Sequence, residues 1–173
     1  MESLKGVILP PKILSMLVSA YQSLLFNKAL SLRMAEAGSF SEPIPGDRLL
    51  FLNGREDRVS AATAGNARIQ VARGRCRIAI RMPGCSDKEL PCADTTAMEQ
   101  FLSEDGIQKS DFCTASDLVH ARFDGAMRPA ALSTTITATL EGDRVTLAFS
   151  LQPGQYATTV CREYMKTDPL AMI

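Results

Sequence analysis

The chain lacks the usual marks of metal, membrane and secretory chemistry. Its five cysteines, at positions 76, 85, 92, 113 and 161, form no C-x-x-C pair, and His120 is its single histidine. A structural zinc site draws on four ligands at short paired spacing, so a metal is not expected. The odd cysteine count and the lack of a secretory signal point to a reducing cytoplasm. No apolar run reaches the roughly 20 residues that span a bilayer. The nearest candidate, between Lys12 and Lys28, is interrupted by Ser15, Ser19, Gln22, Ser23 and Asn27, so no membrane partner is expected. No serine or cysteine carries a nucleophile motif around His120, which reads as a surface side chain. Internal repeats and low-complexity segments are absent too.

Net charge is also missing. The 173 residues carry 19 basic and 19 acidic side chains, which gives no global attraction to nucleic acid. The distribution is uneven, however. From Arg55 to Arg81 there are seven arginines against Glu56 and Asp57, a net of +5, whereas residues 82–124 hold Lys88, Lys109 and Arg122 against nine acids, a net of −6. A basic patch beside an acidic one suits phosphate binding by the first; mutual neutralisation across the fold is the alternative.

The pattern along the chain mixes short strands and helices. Pro10-Pro11 opens a helix from about Lys12 to Ala37, closed by Gly38. Its apolar arc, Ile13, Leu17, Tyr21, Leu24, Leu25 and Leu32, is expected to be buried, with a slim polar face at Ser15, Ser19, Gln22 and Ser23. The row Ser15, Ser19, Ser23, Asn27 suits close packing against another backbone. Arg48–Leu52 reads as a strand followed by an Asn53-Gly54 turn, and Asn66–Ala72 as a short helix stopped near Gly74. In the strand Arg75–Met82 the alternation puts Cys76, Ile78, Ile80 and Met82 on one face and Arg75, Arg77, Ala79 and Arg81 on the other. Thr96-x-x-Glu99 reads as a capping box for a helix ending before Gly106, and Ser110-Asp111-Phe112 as a short helical turn. Thr134–Leu140 and Arg144–Leu151 form a hairpin through Glu141-Gly142-Asp143, and a last helix follows the break at Pro153-Gly154. Without regular strand–helix alternation, the fold class is α+β, a mixed or antiparallel sheet with packed helices.

Several of these segments carry a resemblance. Ser19-Ala20-Tyr21-Gln22-Ser23-Leu24-Leu25-Phe26-Asn27 and Leu151-Gln152-Pro153-Gly154-Gln155-Tyr156-Ala157-Thr158 with Arg162-Glu163 resemble two signatures of the TruD-type pseudouridine synthases. Gly46-Asp47, Met82-Pro83-Gly84 and Gly125-Ala126-Met127-Arg128-Pro129 are similar to further family blocks in the same order, with Met82 in place of a usual leucine and Met127 where many members have arginine.

The resemblance implies a partial pseudouridine synthase fold plus the family's TRUD insertion domain: residues 1–115 would form most of that insertion domain, and residues 116–173 the C-terminal strands and helix of the catalytic domain. It further implies uridine-to-pseudouridine isomerisation in RNA, tRNA in particular, without metal or organic cofactor. The family's catalytic aspartate lies in a Gly-x-Lys-Asp segment, and no such segment occurs in this sequence. The chain alone is therefore expected to be inactive. It reads as a C-terminal portion of such an enzyme, as one half of a split enzyme completed by a separately encoded N-terminal half, or as a stand-alone RNA-binding or partner-binding module. The candidate RNA-binding residues are Arg73, Arg75, Arg77 and Arg81, because arginine on alternate positions of an exposed strand can track phosphates through its forked donors, with Arg128 as the next candidate. Arg162 and Glu163 read as a structural ion pair.

Overall fold

A 27-residue helix, α1 (Pro11–Ala37), organises the first half of the computed structural model, which describes residues 9–85, 93–152 and 155–166. Proline in its first turn needs no intrahelical donor, and Gly38 ends it in the left-handed region at φ 67°, with its N–H on the Met34 carbonyl. The buried face is not the one the apolar pattern suggests. Gln22, Leu25, Phe26, Ala29 and Arg33 point inward, while Ile13, Met16, Leu17, Leu24, Leu32 and Met34 are exposed. Of the expected apolar arc only Leu25 is buried and Tyr21 half-buried. Two apolar faces on one helix leave its direction open, and the polar residues that find partners elsewhere decide it.

Two compact units divide the chain, Met1–Ala131 and Leu132–Ile173. The first holds a four-stranded sheet in the order β2-β1-β3-β4, built from β1 (Arg48–Phe51), β2 (Glu56–Arg58), β3 (Cys76–Arg81) and β4 (Met127–Pro129). Every pairing is antiparallel. Because β4 pairs with β3, residues 127–129 belong to this sheet.

Helix α2 (Ala64–Ala72) lies on the apolar face of the sheet, where Leu49, Val59, Ala67, Cys76 and Ile78 form one buried cluster. A second cluster joins Leu25, Phe26 and Ala29 of α1 to Ile80, Phe123, and Met98, Leu102 and Phe112 of α3 (Ala93–Glu104) and α4 (Lys109–Val119). Each of the large side chains contributes about 1.5–3 kcal/mol by leaving water. Helix α3 begins at Ala93, so Thr96 stands inside the helix and not at its cap. The capping box belongs to α4, where the Gln108 side chain and Asp111 exchange bonds with each other's backbone N–H. Cys85 and Cys113 form a disulfide with a Cα–Cα distance of 4.8 Å, a pairing that neither their spacing nor the odd cysteine count suggested.

In the second unit, β5 (Ile136–Glu141) and β6 (Arg144–Phe149) form the expected hairpin, turning at Gly142 with φ 64°. Its register places Ile136, Ala138, Leu140, Val145, Leu147 and Phe149 on one face. Leu140 is 72% and Val145 59% exposed. A two-stranded sheet showing an apolar face is marginal by itself. Helix α5 (Ala157–Met165) follows; the Pro153-Gly154 break lies outside the described residues. The α+β class read from the sequence holds.

Candidate nucleic-acid interface

Cα partners across an antiparallel ladder share a face of the sheet. The register therefore gathers Arg58, Arg48, Ala79 and Pro129 in one row, with Glu56, Leu50 and Arg77 in the next and Arg81 opposite Met127, all on the same side. Arg77 and Arg81 do share the face predicted for them. That face is not an open edge, because β3 has β1 on one side and β4 on the other, and both arginines are half-buried. Arg81 is engaged: its guanidinium donates to Glu56 Oε2 at 2.9 Å and Oε1 at 3.2 Å, with the side chain 17% exposed, and its buried Nε meets no acceptor. The Arg77 side chain makes no hydrogen bond or ion pair among the described residues.

The remaining candidates separate from these two. Arg73 caps the C-terminus of α2, and Arg75 lies in the turn leading to β3, both exposed. The Arg75 carbonyl accepts from Leu52 N–H, which brings this turn beside the β1–β2 hairpin. Arg128 is opposite Ile80 and so lies on the other face. Its guanidinium sits 4.8 Å over the Phe26 ring and reaches Ser23 Oγ at 3.4 Å. Arg128 thus ties β4 to α1, and the structure does not bring it together with Arg73–Arg81. The alternative of neutralisation by the acidic segment does not describe Arg55, Arg68 and Arg81, whose carboxylate partners are Asp57, Glu42 and Glu56.

The remaining motif residues hold the chain together. Gln22, buried on α1, donates to the Pro83 carbonyl at 2.8 Å. Gly84 and Gly125 pass so closely that a Cβ on Gly84 would stand 2.0 Å from the Gly125 nitrogen. Asp47 meets Arg33 in a bidentate pair, Nε–Oδ1 2.7 Å and Nη2–Oδ2 2.8 Å, with both side chains more than nine-tenths buried. Hydrogen bonding to Asp47 is the main reason the Arg33 pKa is raised, against the opposing effect of burial. Nothing in the linear pattern singles out Arg33; an arginine on the inward face of a helix is the available signal. Tyr21 donates to Asp105 Oδ2 at 2.9 Å, and burial together with that carboxylate pushes its phenol up to about 12. His120 is exposed and ends α4 in the left-handed region at φ 53°. Glu163 pairs with Lys166 at 2.8 Å and not with Arg162, a correction to the structural ion pair expected between Arg162 and Glu163. Among the described residues, no group of three or more His, Cys, Asp or Glu side chains could hold a metal ion, and no helix is long and apolar enough to cross a membrane.

The motif blocks of the first unit therefore converge as a framework, and comparison with known proteins shows which framework it is. The family model described as tRNA pseudouridine synthase D (TruD) matches residues 3–164. The chain belongs to the TruD family. A relative from Natronomonas pharaonis, named "Probable tRNA pseudouridine synthase D", is 33% identical over 165 residues, covering 91% of this chain and 37% of its own length. The tRNA pseudouridine synthase D of Vibrio campbellii is 31% identical over 150 residues, covering 86% of this chain and 41% of that protein. A Methanosarcina mazei protein whose crystal structure carries the TruD description superposes with a TM-score of 0.69 at 26% identity, over 94% of this chain and 40% of that one. The chain thus spans about two-fifths of the length of the relatives it matches.

Proposed function

We propose that this chain is the RNA-holding and fold-closing portion of a TruD-type tRNA pseudouridine synthase. Residues 1–115 act as most of the insertion domain and residues 116–173 as closing elements of the catalytic domain. The substrate is tRNA, and the reaction is uridine-to-pseudouridine isomerisation in the cytoplasm. The catalytic aspartate comes from outside these 173 residues, on polypeptide corresponding to the N-terminal part of the relatives. The observation that carries this reading is the family match over residues 3–164, joined to a sequence with no Gly-x-Lys-Asp segment.

Within this reading the phosphate contacts fall to Arg73, Arg75 and Arg77, whose side chains make no hydrogen bond or ion pair among the described residues. Arg81 is held by Glu56 and contributes less. Replacing Arg73, Arg75 and Arg77 together with alanine is expected to weaken tRNA binding and to lower the salt slope of log K by about 0.7–0.9 for each phosphate no longer neutralised. Because phosphate contacts position without specifying, unrelated RNAs should lose affinity to the same degree. Lys109→Ala, at a lysine 3.4 Å from Glu99, serves as the control and should change little. Fluorescence anisotropy across a salt series reads both quantities. Equal loss from the control, or an unchanged slope in the triple variant, would refute the assignment of phosphate binding to this stripe.

A further inference from the structure

A cleft of about 270 Å³ opens between the β1–β2 hairpin and α2, within the first unit. Its floor is apolar, with Leu49 and Ala67 only 4% and 5% exposed. One wall is the Phe51 ring with the Arg55 guanidinium 4.2 Å above it. The other wall is polar: Asn66 and Gln70 stand one turn apart on the lining face of α2. Asp57, opposite Leu49 in the β1–β2 ladder, adds a carboxylate at the edge. The register explains why the cleft exists. Strand β2 is a three-residue edge strand with every residue exposed, and α2 packs inward over Leu49, Cys76 and Ile78, leaving the space beside β2 unfilled.

From this arrangement we propose that the cleft receives one unpaired nucleobase of a bound RNA. The inference rests on the RNA-binding reading above and adds a site to it. The volume lies just below the ~300–1,000 Å³ typical of pockets for drug-sized ligands, a size suited to a single flat heterocycle. An aromatic face and an arginine plane are the surfaces on which splayed-out bases stack. Neutral amides at Asn66 and Gln70 can donate to and accept from a base edge, and the Asp57 carboxylate can accept from a ring or exocyclic N–H. A flanking phosphate would meet Arg75, which is joined to the same hairpin through Leu52, while Arg55 stays beside Asp57 at 3.6 Å. A pocket for an apolar side chain of a protein partner would not need the amide pair or the carboxylate.

The test uses the full chain and the double variant Asn66→Ala/Gln70→Ala, which alters no charge and places a good helix former at both positions. Binding of a fluorescein-labelled single-stranded RNA decamer is compared with binding of the blunt duplex of the same sequence, whose bases are stacked and paired. The variant should lose about tenfold in affinity for the decamer, the scale of one base contact, with an unchanged salt slope and unchanged duplex binding. A 4-thiouridine placed centrally in the decamer should cross-link to the β1–β2 hairpin or α2. The inference is overturned if decamer affinity is unaffected, or if decamer and duplex lose affinity equally. If the unaltered chain binds neither RNA, the RNA-holding reading falls as well. If it binds RNA and the variant is indistinguishable from it, only the nucleobase site falls.

Discussion

Replacing Asp47 with alanine should destabilise the protein by about 3–5 kcal/mol, the cost of leaving a buried charge without its partner. Arg33 is 8% exposed on α1, and its guanidinium is satisfied by both Asp47 oxygens and by the carbonyls of Ser39 and Glu42. Alanine at position 47 removes the bidentate counter-charge and two charge-assisted bonds, while the carbonyls cannot neutralise the cation. It also frees the Ile44 N–H, which donates to Asp47 Oδ2 at 2.8 Å. The same reasoning gives an internal control. A double replacement, Arg33→Met with Asp47→Leu, removes both charges and should cost less than Asp47→Ala alone. Urea denaturation followed by circular dichroism measures both. A loss below about 1 kcal/mol for Asp47→Ala would place the pair among ordinary surface ion pairs and contradict its role as the lock between α1 and the strand that follows.

The second large effect is expected at Gly84. A methyl group there would meet backbone, not flexible side chain: Gly125 N at 2.0 Å, Phe123 O at 2.3 Å and the Asp124 carbonyl carbon at 2.4 Å. Relief requires the two segments to separate, and these segments exchange the Cys85 N–H to Phe123 and Met82 N–H to Ala126 bonds that continue the β3–β4 pairing. The same movement would pull Pro83 away from Gln22, leaving that buried amide without its acceptor. Overpacking of this kind exceeds the usual 1–3 kcal/mol of a core insertion, and Gly84→Ala should cost at least about 3 kcal/mol. Gly74→Ala is the contrasting case: no atom lies within 4 Å of its added Cβ, so only the strain of φ +66° remains. Thermal unfolding of both variants should show a much larger fall for Gly84→Ala. Equal shifts would mean that the close approach of the two loops yields without cost.

The elements with strong local punctuation were legible in the sequence. Pro10-Pro11 and Gly38 bound α1, Gly74 follows α2, and Gly142 turns the β5–β6 hairpin, because each of these positions is set by backbone chemistry within a few residues. The three-residue strands β2 and β4 were not legible, since so short a segment carries no periodicity to read. The direction of α1 was misread for a different reason. With apolar residues on both faces, its orientation is decided by partners distant in sequence, Gln22 with Pro83 and Arg33 with Asp47.

The candidate interface divides along the same line. Alternation correctly set Arg77 and Arg81 on one face of β3. Only the ladder register shows that β3 is an interior strand, that Glu56 holds Arg81, and that Arg128 turns to the opposite side. The cleft beside β2 was illegible because it depends on an edge strand and on where α2 settles against the sheet. The family motifs were plain as letters, yet Gln22, Asp47, Gly84 and Arg128 turn out to hold the framework together.

The measurement that bears most directly on this account combines tRNA binding and pseudouridine formation by the same purified chain. Uridine-tritiated tRNA is incubated with the chain alone, and binding is read by anisotropy in parallel with tritium release. The expected result is salt-dependent tRNA binding with no tritium release above background, and release on adding the N-terminal portion of a TruD relative that carries the Gly-x-Lys-Asp segment. Tritium release by the chain alone would contradict the claim that the catalytic carboxylate comes from elsewhere.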